Sequence, residues 1–143
     1  MAGMSKYLAL AVFNMSLNPV RAAFTPPAGL WLALHAGAPS DSTYGMEATF
    51  GAYARQPLNS LTAESGSETS GGNVDVVVTN GSAVVFPAST GPVGQTITHW
   101  AIWDSEATGD GNILYSGSLA STRLVVSGDS VVVPEGSITI TIK

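Results

Sequence analysis

The run Ile97-Thr-His-Trp-Ala-Ile-Trp-Asp, a polar turn over 105–112, and Ile113-Leu-Tyr-Ser-Gly-Ser-Leu together constrain this chain most. They read as strand, tight turn, strand. Alternation puts Ile97, His99, Ala101 and Trp103 on one face of the first arm and Thr98, Trp100, Ile102 and Asp104 on the other. Large apolar groups on both faces predict a central strand covered on two sides. The turn's Thr-Gly-Asp-Gly-Asn supplies residues that tolerate positive φ, as a short hairpin requires.

Around this hairpin the punctuation is that of an all-β domain. Leu30-Trp-Leu-Ala-Leu-His-Ala is an alternating strand, with Leu30, Leu32 and Leu34 on one face and Trp31, Ala33 and His35 on the other. A long turn-rich loop follows over 37–51, of a length that is usually functional or contact-making. Ala52-Tyr-Ala-Arg-Gln-Pro-Leu is a short strand that Pro57 confines to an edge or an end. Residues 59–73, rich in Ser, Gly and Glu, read as a surface loop. Val74-Asp-Val-Val-Val-Thr, Asn80-Gly81 and Ser82-Ala-Val-Val-Phe give the strongest hairpin signal, because Asn-Gly suits a type I′ turn. Further strands are expected at 123–126, 130–133 and 137–143, with Ile138, Ile140 and Ile142 facing inward in the last. About eight or nine short strands with frequent turns predict an antiparallel β-sandwich or jelly-roll-like barrel, preceded by one N-terminal α-helix.

That helix is expected from Ser5, a good N-cap, to Leu17, before Asn18-Pro19. It is apolar nearly all round, so burial on more than one side is expected. It is too short for a membrane span, which needs about 20 apolar residues. Lys6 ahead of an apolar run and the small pair Ala22-Ala23 also give it the look of a secretory leader. The expected role is docking on the β-body or on a neighbouring subunit. Residues 1–22 are then a helix and docking arm, and 23–143 a sandwich domain.

Composition sharpens this. Only 10% of the 143 residues are charged, against about 25% in an average soluble domain. With 45% hydrophobic residues, such a surface suits life packed against copies of itself or a partner. The net charge is −5 and the basic residues Lys6, Arg21, Arg55, Arg123 and Lys143 are scattered, so no nucleic acid is expected as a partner. The absence of cysteine excludes a disulfide scaffold and is compatible with assembly in a reducing cytoplasm.

Little in the chain suggests chemistry. His35 and His99 lie mid-strand among apolar neighbours, without metal-ligand spacing. Asp104, Glu106 and Asp110 share one turn but do not fit a calcium loop. Ser116 lacks the glycine of a nucleophile elbow. No catalytic, metal or cofactor site is expected. Trp31, Trp100 and Trp103 are expected as packing anchors, with a sugar-stacking platform as the alternative.

The segments Leu30-Trp-Leu-Ala-Leu-His-Ala-Gly-Ala-Pro-Ser-Asp, Gly51-Ala-Tyr-Ala-Arg-Gln-Pro, Val85-Phe-Pro-Ala-Ser-Thr, Ile97-Thr-His-Trp-Ala-Ile-Trp-Asp and Gly111-Asn-Ile-Leu-Tyr-Ser-Gly-Ser-Leu resemble small virion proteins of tailed bacteriophages. Members are labelled head decoration (cement) proteins or tail fibre proteins. The resemblance implies a capsid decoration protein on the capsid surface of the virion. Its implied partners are itself, as a homotrimer, and the major capsid protein at threefold or quasi-threefold positions. A tail or neck fibre, binding glycan through surface aromatics, is the alternative. The implied contact surface is the helix, with Tyr7, Leu8, Val12 and Phe13, and the long loop, with Tyr44 and Phe50, joined by Arg55 and Trp100.

Overall fold

The computed structural model describes residues 3–18, 25–40, 45–68 and 74–142. Their architecture is an all-β sandwich with one short helix, and its sheets do not close into a barrel. One sheet has five strands: β1 (Gly3–Met4), β8 (Ile113–Val125), β7 (Gln95–Trp103), β2 (Trp31–His35) and β3 (Gln56–Pro57), in that spatial order. A second has three, β10 (Thr139–Ile142), β5 (Val74–Asn80) and β4 (Leu61–Glu68). A two-stranded ribbon joins β6 (Val84–Val85) to β9 (Val132–Val133). Helix α1 spans Lys6–Ser16.

The 97–119 hairpin is the centre of the molecule, as its alternation requires. β7 pairs antiparallel with β8 on one side and with β2 on the other, where Trp31 faces Trp103 and His35 faces His99 in register. Leu32, Leu34, Trp100 and Ile102 point into the main core, shared with Phe86, Val131, Val133, Ile138 and Ile140 from the opposing layer. Ala33, Ala101, Trp103 and Ile113 form a smaller cluster. Pro57 sits at the sheet edge, where its missing N–H costs no ladder bond.

Several expectations are corrected. Ile97 joins the main core with Trp100, not the His99 and Trp103 face. The change coincides with a register shift: between the pairs Ile97–Arg123 and His99–Ser118, two steps on β7 are matched by five on β8. A bulge of this kind reverses the alternation locally. Of the residues expected as a separate strand at 123–126, 123–125 form the end of β8. Residues 61–68, expected as loop, form β4 and pair with β5. Ile142 is 38% exposed at the end of β10, while Ile138 and Ile140 are buried.

The Asn80-Gly81 hairpin does not form. β5 pairs with β4 and β10, and β6 pairs with β9. Neither residue has the positive φ that a type I′ turn demands. Asn80 is instead fully buried, and its Nδ2 donates to Ser82 O (2.9 Å) and Pro134 O (2.7 Å). Its Oδ1 accepts from Ile138 N at 2.9 Å, and its carbonyl from Gly136 N at 2.8 Å. The side chain therefore staples the 134–138 turn to the end of β5.

Candidate assembly surface

Helix α1 begins where expected. Ser5 is extended (φ −70°, ψ 157°) and its Oγ accepts from Leu8 N at 3.2 Å, satisfying one of the helix's free donors. At the other end the Leu17 N–H donates to Phe13 O, and Asn18 Nδ2 donates to Asn14 Oδ1 at 3.0 Å. Its attachment to the body is slight and lies at its start. Gly3 and Met4 pair with Ser116 and Tyr115, Ser5 N donates to Leu114 O at 2.9 Å, and Leu8 packs on the core.

The expected burial of this helix on several sides is not found within the protomer. None of its residues is buried. Tyr7, Leu10, Val12, Phe13, Met15 and the C-cap Leu17 are all exposed, Leu17 to 74%. Leu10, Phe13 and Leu17 follow one another at the spacing of a single helix face. Lys6 is the helix's one charged residue. An 11-residue helix is marginal in water and draws its stability from tertiary packing. Covering a large apolar side chain fully contributes about 1.5–3 kcal/mol, so this surface holds several kcal/mol of unrealised association energy.

The other residues expected at the contact behave differently. Phe50, Arg55 and Trp100 are buried inside the protomer, and of the three Trp100 lines the surface groove between residues 118–121 and 131–134. Tyr44 lies outside the described residues. Phe50 packs edge-on against Tyr53, ring centroids 5.2 Å apart. Trp100 faces Gly117 in register, and a Cβ there would fall 2.7 Å from the indole, so the glycine makes room for the ring.

Arg55 is the centre of a buried polar node. Its Nε and Nη2 donate to the two carboxylate oxygens of Glu47, both at 2.8 Å, a bidentate pair. Nη1 donates to Ser105 O (2.8 Å) and Asp110 O (2.9 Å), and the guanidinium lies 3.8 Å from the centre of a Trp103 ring. The Tyr53 hydroxyl donates to Glu47 Oε1 and accepts from Leu34 N, each at 3.1 Å. Burial, and then the negative charge of Glu47, push the Tyr53 phenol above its ordinary value. The node clamps the 45–55 loop to the hairpin turn. Glu47 was not singled out from sequence, although a strand-borne arginine among apolar neighbours demands an acidic partner.

The remaining chemistry-bearing residues are held in local structure. His35 lies edge to edge with Trp103, with Trp103 Nε1 donating to its Nε2 at 3.4 Å. His99 Nδ1 is 2.7 Å from Thr98 Oγ1. Asp104 accepts from Asn112 N (2.6 Å) and Asn112 Nδ2 (3.0 Å), which closes the turn. No cluster of three metal-ligating side chains occurs among the described residues. Trp100 and Trp103 are buried and Trp31 folds across Gly29, so the three indoles do not form an open sugar platform.

Residues 3–141 match the family model described as podophage GP4 fiber I protein gp80. No curated protein matches the chain.

Proposed function

The chain belongs to the podophage GP4 fiber I protein family, a family of virion structural proteins, and from that premise we propose that it is a fibre subunit held in the particle through α1. The observation that carries this reading is the inversion in α1, where five large apolar side chains, and a sixth at the C-cap Leu17, are exposed and none is buried. A surface of that kind needs a cover, and low overall charge lets copies approach closely. The subunit works by burying apolar area in repeated modest contacts, which yields avidity without high affinity in any one. A homotrimer is the proposed unit, and no chemical turnover is part of the reading.

Labelling the protein on intact particles with a specific antibody, followed by electron microscopy, tests the placement. Label on tail or neck fibres is expected. Label over the shell at threefold positions would replace the fibre reading with capsid decoration, with the major capsid protein as the partner. Absence from purified particles would overturn both.

A further inference from the structure

Beside the irregular stretch of β8 lies a groove. Residues 118–121 of β8 stand apart from residues 131–134, and between them lies a space of about 180 Å³. Trp100, Leu119, Val131, Val133 and Ile138 line it, with Arg123 at its rim. Its lining contains no carboxylate. An apolar cavity of roughly 150 Å³ is enough to hold a benzene ring, so this groove has room for one aromatic side chain.

The chain itself supplies rings that lack a cover. Among the described residues, Tyr7 and Phe13 are the exposed aromatic side chains, and both belong to α1. Phe13 is the centre of the Leu10, Phe13, Leu17 face, an i, i+3, i+7 pattern suited to laying a helix into a groove. Charge favours a second copy as the occupant's source. Residues 1–40 contain none of the ten acidic residues and two of the five basic ones, whereas 41–143 carry all ten acids and three basic residues. The N-terminal segment is thus the part of one copy whose net charge opposes that of another copy's body, and α1 brings no carboxylate to the groove. A lipid surface fits less well, because an interfacial helix needs a basic polar face and α1 has none.

We infer that α1 of one copy docks on the β8–β9 groove of the next, seating Phe13 over Trp100. The inference rests on α1 being a contact surface, as proposed above, and adds what covers it. The contact joins two different patches, so it is heterologous and propagates head to tail, closing into a ring such as a trimer if the rotation allows.

Sedimentation of the full chain over a concentration series tests this with two variants. Phe13→Ser removes the knob, and Ala120→Trp plugs the groove from an exposed rim position. Each alone is expected to weaken self-association at least tenfold while leaving the near-UV spectrum folded. Mixed one to one, they are expected to restore a heterodimer that grows no further, because each copy retains the half that the other has lost. Leu17→Ser replaces Phe13→Ser if the latter misfolds. If Ala120→Trp associates like wild type while Phe13→Ser does not, helix meets helix: this inference fails and the α1 reading stands. If neither variant changes association, or the wild-type chain stays monomeric at millimolar concentration, both fail.

Discussion

The Arg55 node and helix α1 are built on opposite terms. At the node a charged side chain lies inside the protein with its donors engaged by Glu47, Ser105 O and Asp110 O. Along α1, large apolar side chains lie exposed and none is buried. A buried charge is tolerated when its partners are complete, so the node marks a region that the protomer finishes by itself. Exposed apolar area at this density marks a region finished by another molecule. On the reading proposed above, the body is a self-sufficient scaffold and α1 is its attachment device.

The largest effect should come from breaking the node. Arg55→Ala leaves Glu47 buried without its cation and frees two carbonyls that now tie the 105–110 turn to the 45–55 loop. Removing one partner of a buried pair costs about 3–5 kcal/mol. Thermal unfolding of the variant should fall by roughly 10 °C or more. A loss within a degree or two would mean that the node is not a structural clamp. The same logic applies on a smaller scale to Asn80→Ala, which strands the buried Ile138 N–H and removes the Nδ2 tie from Ser82 O to Pro134 O. The expected loss is about 2–3 kcal/mol, read from urea midpoints.

Asn80 also shows where the sequence was legible and where it was not. The strand–turn–strand at 97–119, the strand at 31–35, the edge role of Pro57 and the Ser5 cap all follow from local patterns, and the structure contains each. Asn80-Gly81 carries an equally clear local signal, yet its meaning was decided by Pro134 and Ile138, more than fifty residues away. The same holds for β4, a Ser- and Glu-rich stretch made into a strand by its partner β5, and for the β8 bulge, which exists only relative to β7. Pairing partners decide strand fate in sheets more than intrinsic preference does. For the candidate surface, the apolar character of α1 was plain. That none of its residues is buried was not, because periodicity records how apolar a helix is and not what lies against it.

A smaller effect is expected at Ala52, which joins the two regions' contrast from the strained side. It has φ +64°, in the left-handed region that disfavours a Cβ. The node's neighbours hold it there, since Tyr53 N donates to Phe50 O and the Tyr53 hydroxyl is tied to Glu47. Ala52→Gly relieves this strain at some cost in unfolded-state entropy, for a net gain of up to about 1 kcal/mol. A loss of stability would show that the Cβ contributes packing that outweighs the strain.

The smallest effect on the protomer, and the one that sharpens the comparison most, is at Leu17. Its side chain is 74% exposed, so Leu17→Gln should shift the unfolding midpoint of dilute protein by no more than about 0.5 kcal/mol. The distinction lies in concentration. If α1 is covered in an assembly, the wild-type midpoint rises with protein concentration, because association stabilises only the folded chain. The variant's midpoint should rise less steeply across the same series. Arg55→Ala should do the reverse, lowering the midpoint at every concentration while its slope is kept. Parallel slopes for wild type and Leu17→Gln would mean that α1 is not where copies meet, and the contrast between a finished body and an unfinished helix would lose its functional meaning.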